Sequence, residues 1–497
     1  MANTHVISFI QSLSNEEIKI SKDYLIKFQP LIGNEKESKE FKLFEYILNN
    51  QNSSISDNEL IKATETKDIR HLKNNLFHKI LESLTLDKHL DNKSIFNDYD
   101  RISLQLKKQI LSVRILYRTL NQKKTESLIH LIDDIITEAK EFEIYDIISE
   151  ALIIKKYIIG SRVGVATYEK INEDISFFSS CHTSILRAVD NYFRLILNND
   201  FINSLSKKQL DKHIQDSIEE LKSDYKRIGS QQINYYLLIM QSAYAESQKD
   251  FKKATEFWKQ IIVILKKNKV VYRKERMGFA FTNLSQFKTK SGDFEAAIKD
   301  ARNAQNFYIE NSFNFIIAKE QEFHACFYGM EYEKAMSCIR LLLDHSLLDT
   351  GEFRKSKYIY YQACVFFRQD KFKDALQLLN TSLELEKDKT RGNLIIRIFH
   401  IMIFIELDKL NEASSSIESL RKYLDRTGKG EDIQPRHILI SKVLRELEKS
   451  GFEYKSDNLT IQKQLKELAD KKGPAAWEYY TSGLIPFHEW LEKKKKK

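Results

Sequence analysis

Hydrophobic residues recur at helical spacing along most of this chain. A helix over residues 38–50 would carry its large apolar side chains on one face: Phe41, Phe44, Ile47 and Leu48. Residues 132–158 show such a pattern twice, around a polar joint at residues 140–143. This arrangement predicts two helices joined by a short turn, and weaker patterns of the same kind continue through residues 100–230.

The scarcity of turn-forming residues favours helices over strands. The sequence holds 14 Gly and 4 Pro, and no proline lies between Pro30 and Pro435. Sheets need tight turns that Gly and Pro supply, whereas helical hairpins form without them. A hydrophobic content of 42% is enough for a packed core. The sequence therefore predicts an all-α protein.

Residues 1–99 read as short helices with polar joints, which predicts an N-terminal helical bundle. Within it, residues 57–86 also have the layout of a DNA-binding helix-turn-helix. In that alternative, six polar residues of the second helix face a groove of DNA: Arg70, His71, Lys73, Asn74, Asn75 and Lys79. Because they form no concentrated basic stripe, a small bundle with a solvated polar face is the favoured interpretation.

From about residue 235 onward, an aromatic residue or leucine is followed three positions later by alanine in five places. These five anchor alanines are Ala254, Ala297, Ala335, Ala375 and Ala413. Successive anchors are 43, 38, 40 and 38 residues apart. A nearly constant period with one internal pattern is typical of a helical repeat array.

This pattern resembles the tetratricopeptide repeat (TPR), in which the aromatic residue and the alanine lie in the second helix of each hairpin. The resemblance covers residues 235–428. The family's period is about 34 residues and its units close with proline, whereas the units here are longer and lack proline. Longer units resemble the extended repeats of bacterial peptide-sensing regulators and of other bacterial TPR proteins.

The resemblance implies an α-solenoid with four parts. An N-terminal helical bundle occupies residues 1–99, and degenerate helical hairpins occupy 100–230. A TPR-like superhelix with five clear repeats follows in 231–430. Residues 431–497 then form a C-terminal helical cap with a basic tail.

In TPR proteins the first helices of successive units line a concave groove. Carried over to this sequence, the groove positions lie fifteen and eleven residues before the anchors: Thr282, Gln286, Glu320, His324, Tyr360 and Cys364. The same positions in the flanking repeats are apolar or small: Ile239, Ala243, Ile398 and Met402. A groove that is polar in the middle and apolar at its ends suits an extended peptide. The alternative is that these side chains pack between adjacent helices.

A basic cluster lies between the first two clear repeats. Its cations are Lys266, Lys267, Lys269, Arg273, Lys274 and Arg276. Such a cluster suits contact with the phosphates of a nucleic acid, although a solvated loop is the favoured interpretation. The net charge is +9, and without the terminal run Lys493–Lys497 it falls to +4, from 74 basic and 70 acidic residues. A strongly basic nucleic-acid-binding protein would carry more charge.

The C-terminal stretch departs from the repeat and is rich in aromatic residues. Five of its residues are suited to cover the last exposed apolar face of a solenoid: Trp477, Tyr480, Phe487, Trp490 and Leu491. The alternative is an aromatic docking tail for a partner or for a second copy of the chain.

No sequence motif indicates catalysis, a cofactor or a metal. HExxH, GxxxxGK[ST], GxSxG and GxGxxG are missing, and the 12 histidines show no metal-ligand spacing. Cys181 and His182 are adjacent, so on a helix they point apart and cannot form a nucleophile–base pair. The four cysteines form no CxxC pair, which fits a reducing compartment. With no evident signal peptide or membrane span, a cytoplasmic location is expected.

The sequence therefore predicts a non-catalytic scaffold or adaptor that binds a protein or peptide partner in the groove of a TPR superhelix. The alternative is a regulator that couples peptide binding in the groove to DNA or protein binding by the N-terminal bundle.

Overall fold

The structure of the protein is a computed structural model. It describes these residues: 5–27, 38–50, 55–86, 96–118, 122–160, 163–198, 201–202, 205–348, 352–381, 392–427, 433–455, 458–470, 473–480 and 483–495. Lys496 and Lys497 of the terminal lysine run lie outside these ranges. All the long regular elements in the described residues are helices, as the hydrophobic spacing predicts.

The chain forms two compact units. The first comprises residues 1–190, 224–233 and 268–272, and the second comprises residues 191–223, 234–267 and 273–497. Each unit has a hydrophobic core of its own.

The first unit begins with a bundle of five helices. They are α1 (His5–Gln11), α2 (Asn15–Lys27), α3 (Lys39–Asn49), α4 (Asp57–Thr64) and α5 (Ile69–Leu84). The bundle core is fully buried at Ile10, Leu43, Phe44, Ile47, Leu60, Leu76 and Ile80. Helix α4 starts with a capping box, in which Ser56 and Glu59 satisfy each other's backbone N–H groups.

Longer helices complete the first unit. They are α6 (Asp98–Arg118), α7 (Gln122–Glu141), α8 (Tyr145–Ile159) and α9 (Val165–Tyr192). Helices α7 and α8 meet at the polar joint, which confirms the hairpin predicted for residues 132–158. A π-helical turn, Phe193–Leu197, follows α9.

The second unit contains most of the remaining helices. They are α10 (Lys207–Ile228), α11 (Gln231–Ser247), α12 (Phe251–Lys267), α13 (Lys274–Lys290), α14 (Phe294–Gln305), α15 (Phe313–Tyr328), α16 (Tyr332–Leu343), α17 (Glu352–Arg368), α18 (Phe372–Thr381), α19 (Gly392–Glu406), α20 (Leu410–Thr427), α21 (Pro435–Lys449), α22 (Leu459–Ala469) and α23 (Phe487–Lys493). The end of α10 and the start of α11 belong to the first unit.

The five clear repeats are five helical hairpins. The second helices α12, α14, α16, α18 and α20 begin at the aromatic residue or leucine of the motif: Phe251, Phe294, Tyr332, Phe372 and Leu410. The first helices are α11, α13, α15, α17 and α19. Contacts between α14 and α15, α16 and α17, and α13 and α15 stack successive hairpins. The predicted all-α solenoid is confirmed.

Each hairpin turns through a residue in the left-handed conformation. It lies five residues before the anchor alanine: Lys249, Gly292, Met330, Asp370 and Asp408, with φ of 60°, 84°, 61°, 58° and 56°. The next N–H group then bonds back to the first helix, as from Glu331 to the Cys326 carbonyl at 2.8 Å. The α7–α8 hairpin uses the same turn at Glu143, with φ of 54°.

Candidate functional site

The first helices α13, α15, α17 and α19 carry the predicted groove residues. We call the side of these helices that carries Gln286, Glu320, His324, Tyr360, Ile398 and Met402 the inner face. Thr282 is buried on α13, where its hydroxyl donates to the Gly278 carbonyl at 2.9 Å. Gln286, one turn later, is half-buried. Cys364 on α17 is fully buried and lies beside the Tyr360 hydroxyl.

Glu320 forms the polar centre of the inner face. Its carboxylate lies 2.6 Å from the Lys357 ammonium and accepts hydrogen bonds from the Tyr358 and Tyr361 hydroxyls at 3.1 and 3.4 Å. Burial alone would raise the pKa of Glu320. The nearby ammonium and the hydrogen bond to His324 outweigh burial and lower that pKa to about 2. Glu320 is therefore an ionised, paired carboxylate.

His324 lies beside Glu320 and is fully buried. Its Nε2 atom is 3.4 Å from the Glu320 carboxylate. Burial lowers the pKa of His324, and the carboxylate offsets this only in part, so the ring is neutral near pH 7. Among the described residues, its Nδ1 atom has no hydrogen-bond partner.

The inner face is covered by residues from the end of the same chain. We call residues 473–480 and 483–491 the C-terminal segment. Tyr480 meets the His324 ring edge-on, with the two ring centroids 4.4 Å apart. Tyr479 contacts the Tyr328 ring at 4.7 Å, and Trp477 contacts Tyr479 at 4.7 Å. The contacts continue to α13, where the Lys290 ammonium lies 5.7 Å from the Tyr480 ring centroid.

Further along, the C-terminal segment meets α17 and α19 through its backbone. The Leu484 N–H group donates to the Tyr360 hydroxyl at 3.3 Å. Gly483 has a φ of +84°, and a Cβ atom there would lie 2.9 Å from Cγ2 of Ile395 and 3.2 Å from the Tyr360 oxygen. Both the backbone angle and the close approach therefore require glycine at this position. The Trp477 indole donates to the Gly483 carbonyl at 3.2 Å, which links the two parts of the segment.

The last part of the C-terminal segment packs onto the final helices of the second unit. The Trp490 indole donates to Glu406 at 2.5 Å, and Lys494 pairs with the same carboxylate at 2.9 Å. The first part of the segment also meets these helices, because Arg436 on α21 donates to the Ala476 carbonyl at 3.2 Å. Residues predicted from the sequence to cover the last apolar face thus contact α19 and α21, and the segment also extends back to α15 and α13.

The apolar end of the inner face contains a small cavity of about 30 Å³. Ile398 and Met402, the predicted apolar groove positions, line it together with Ile485 and Phe487 of the C-terminal segment. His437 also lines it and is buried. Neither of its ring nitrogens has a hydrogen-bond partner within the described parts of the chain.

Some residues of the basic cluster make contacts within their own unit, and others are exposed. In the first unit, the Lys269 ammonium lies 3.1 Å from Glu141 and 4.2 Å from the Phe142 ring centroid. In the second unit, the Arg276 guanidinium lies 4.6 Å from the Tyr235 ring centroid. Lys266, Lys267 and Lys274 are exposed, and Arg273 is half-buried. Nucleic-acid contact through this cluster stays a prediction.

The residues of the helix-turn-helix alternative lie on α5. Lys73 is almost fully buried and pairs with Asp57. Lys79 pairs with Glu40 at 2.9 Å, and the Asn75 amide lies 3.1 Å from the His71 ring. Arg70, His71 and Asn74 are exposed. Two of the three cations in this set therefore hold the bundle together.

Within the described residues, no group of three or more His, Cys, Asp or Glu side chains is placed to hold a metal ion. The four cysteines are free and buried. Burial raises the pKa of Cys181 above its usual value, so this thiol is not activated beside His182. No helix in the described ranges is long and apolar enough to cross a membrane.

Similarity to known proteins is confined to solved structures, since the sequence matches no protein-family model and no curated protein. The apo form of RapI is similar over 74% of this chain and 87% of its own, with 15% identity and a TM-score of 0.43. A Rap protein complexed with competence and sporulation factor covers the same shares, with 12% identity and a TM-score of 0.42. A signal-transduction ATPase with a TPR sensor, from Pyrococcus horikoshii, covers 87% of this chain and 67% of its own, with 12% identity and a TM-score of 0.39.

The geometry of the hairpins decides the class of repeat. Every second helix begins at the first residue of the motif, every anchor alanine has no exposed surface, and every turn has a left-handed residue five positions before the anchor. These are TPR-like repeats. Their first helices carry the polar centre and the covered face described above.

Proposed function

We propose that the protein is a non-catalytic scaffold that binds an extended peptide, or an extended segment of a protein partner, on the inner face of α13, α15, α17 and α19. One observation supports this proposal above the others: the same face is already covered by a stretch of polypeptide from the same chain, the C-terminal segment. A face that packs against one stretch of chain offers aromatic rings and hydrogen-bonding groups that can contact another.

The contacts on the inner face are those that recognise a peptide. Tyr360 accepts a backbone N–H group, and the rings of His324 and Tyr328 take aromatic side chains. Ile398 and Met402 offer apolar surface at one end. Backbone hydrogen bonds give affinity for any extended chain, and side-chain pockets select among sequences.

The charged groups of the site favour binding over catalysis. A general acid or base needs a pKa near the working pH. The pKa of Glu320 is lowered to about 2, and that carboxylate is occupied by Lys357, so it is a poor proton carrier. The Glu320–Lys357 pair is better suited to fix the tyrosines of α17 in position.

The test uses a photo-crosslinking residue on the full-length protein. Gln286 lies one turn before Lys290 on α13, on the same side as the ammonium that contacts Tyr480. Peptides are first selected from a random display library against the intact chain. p-Benzoylphenylalanine in place of Gln286 should then crosslink to the selected peptides upon illumination.

The matched control places the same residue at Lys299, which is exposed on the second helix α14. We expect no crosslink there. Equal crosslinking at the two positions, or crosslinking at position 299 alone, would show that the peptides bind outside the inner face and would contradict the proposed function.

A further inference from the structure

The two halves of the C-terminal segment are held in different ways. Phe487, Trp490 and Leu491 are buried in the core of the second unit. Trp477 and Tyr480 are only half-buried and lie over the inner face. The second half, residues 483–491, is thus an integral part of the fold. The first half, residues 473–480, is buried at Ala475 and Ala476, but its aromatic residues lie half-buried over the helices.

The first half is also under backbone strain. Tyr480 has a φ of +70°, in the left-handed region that disfavours residues with a Cβ atom. Such a conformation persists only where the surroundings hold it. Here the surroundings are the rings and the ammonium of the inner face, His324 and Lys290. Release of Tyr480 from this face would relieve the strain.

The contact with His324 is incomplete. The ionised Glu320 carboxylate accepts a hydrogen bond from Nε2–H, so Nδ1 of the neutral ring carries a lone pair. This buried atom has no hydrogen-bond partner among the described residues, although Tyr480 lies directly against the ring. A buried acceptor without a donor is costly. The C-terminal segment therefore leaves Nδ1 of His324 without the hydrogen bond that a better ligand would donate.

We propose that the C-terminal segment is an intramolecular ligand of the inner face, which the binding partner must displace. The partner is an extended peptide that offers an aromatic side chain to the His324 ring and a hydrogen-bond donor to Nδ1 of the same ring. This inference rests on the proposed function, because it assigns to that binding face a regulated state and a class of ligand.

Covalent attachment makes the segment a strong competitor. A tethered ligand acts at an effective concentration in the millimolar range, so a free peptide of equal intrinsic affinity binds poorly. The intact chain is therefore largely closed to weak peptides, and release of the first half opens it. The second half, anchored through Trp490 and Glu406, stays in place.

The experiment loosens the first half through Gly483, whose carbonyl accepts the hydrogen bond of the Trp477 indole, and it substitutes no residue of the helices. Gly483→Val in the full-length chain forces a side chain against Ile395 and Tyr360. The matched control is Gly451→Val, because Gly451 has a similar φ of +68° but a Cβ atom there would meet nothing within 4 Å. Both variants carry the same kind of backbone strain, and only the first loses the contact with the inner face.

The probe is a fluorescein-labelled synthetic peptide that copies residues 473–491. We expect it to bind Gly483→Val at least about tenfold more tightly than it binds the unmodified chain. Gly451→Val should bind it no better than the unmodified chain does. Hydrogen exchange of residues 473–480 should be faster in Gly483→Val alone. Equal affinity of all three proteins for the peptide, with faster exchange in Gly483→Val, would overturn the intramolecular ligand.

A second variant tests the same inference independently, in case Gly483→Val does not fold. Tyr480→Ala removes the ring that covers His324 and should strengthen peptide binding in the same direction, with an unchanged helical circular dichroism spectrum. If light scattering instead shows a dimer that Gly483→Val dissociates, the segment belongs to a second copy and the intramolecular assignment is wrong.

The peptides selected for the crosslinking test separate this inference from the proposed function. If they crosslink at position 286 and bind Gly483→Val and the unmodified chain equally, the inner face binds peptides but is not regulated by the segment. If the copied peptide binds more tightly to Gly483→Val while the selected peptides crosslink elsewhere, the intramolecular ligand stands and the proposed function fails.

Discussion

Ala297 has no exposed surface, and the same is true of Ala254, Ala335, Ala375 and Ala413. At Ala297 the reason is visible in one contact: the Ser285 hydroxyl on α13 donates to its carbonyl at 2.8 Å. A hydroxyl from the first helix reaches the backbone of the second only if the side chain between them is small. The anchor alanine therefore sets how closely the two helices of a hairpin approach.

Enlarging this residue should destabilise the hairpin. We expect Ala297→Leu to lower the free energy of unfolding by about 1–3 kcal/mol, because extra methyl groups in a filled core force helices apart. Urea denaturation followed by circular dichroism measures the change. Lys299→Leu, at an exposed position of the same helix, is the control and should have little effect. Equal stability of the two variants would show that α13 and α14 are not closely packed at residue 297.

At the scale of the element, the hairpin turn is the feature that repeats most faithfully. Five turns use a left-handed residue at the same distance from the anchor, yet only Gly292 is a glycine. Lys249, Met330, Asp370 and Asp408 adopt the same conformation at a cost, because their Cβ atoms crowd the backbone there. Packing of the two helices on either side holds these residues in place.

Exchanging residue types at two of these turns should change stability in opposite directions. Met330 is 74% exposed, so its side chain adds little packing. We expect Met330→Gly to raise the free energy of unfolding by up to about 1 kcal/mol. Gly292→Ala should lower it by about 1 kcal/mol, since a Cβ atom there meets no neighbour and only the backbone angle is unfavourable.

The measurement is the urea midpoint of each variant, with Met330→Ala as the control that keeps the strained backbone. Met330→Ala should leave the midpoint close to that of the unmodified protein. If Met330→Gly destabilises the protein as much as Gly292→Ala does, the turn does not impose a left-handed residue at position 330.

At the scale of the whole molecule, buried histidines make stability depend on pH. Burial lowers the pKa of His324, His400, His437 and His488 in the second unit, and the pKa of His437 falls to about 4. The unfolded chain, with histidine pKa near 6.5, binds more protons than the folded chain below that pH. The contribution of these histidines to the free energy of unfolding is therefore fully present above about pH 6.5 and is lost as the pH decreases toward 4.

His437 gives the sharpest test of this dependence. Burial and the nearby Arg436 suppress protonation of His437 in the folded state. Lowering the pH from 7 to 5 should therefore decrease the free energy of unfolding by on the order of 2 kcal/mol through this residue. His437→Leu should remove that part of the pH dependence in urea titrations at the two pH values. His78→Leu, at an exposed position on α5, should leave it unchanged. A pH dependence unaltered by His437→Leu would mean that His437 is protonated as easily in the folded protein as in the unfolded chain.

Several features of the protein followed from local sequence patterns. The 3.6-residue spacing of apolar side chains, the lack of proline and the evenly spaced alanines predicted helices, hairpins and an all-α solenoid, and the starting residue of every second helix agrees. Such features depend on residues close together in the chain. The left-handed turns could not be predicted from the sequence, because glycine and asparagine usually mark such turns and four of these positions hold other residues: Lys249, Met330, Asp370 and Asp408.

The sequence alone determined the repeat, because the two helices of each hairpin pack through residues close together in the chain. The motif that carries these residues occurs five times. The occupancy of the inner face was decided only by tertiary structure. Tyr480 meets His324, and Leu484 meets Tyr360, across more than a hundred residues of chain, and no local period relates such pairs. The residues predicted as a cap for the last repeat therefore also lie along the groove positions of earlier repeats, since where an aromatic segment packs depends on which surfaces the folded array leaves uncovered.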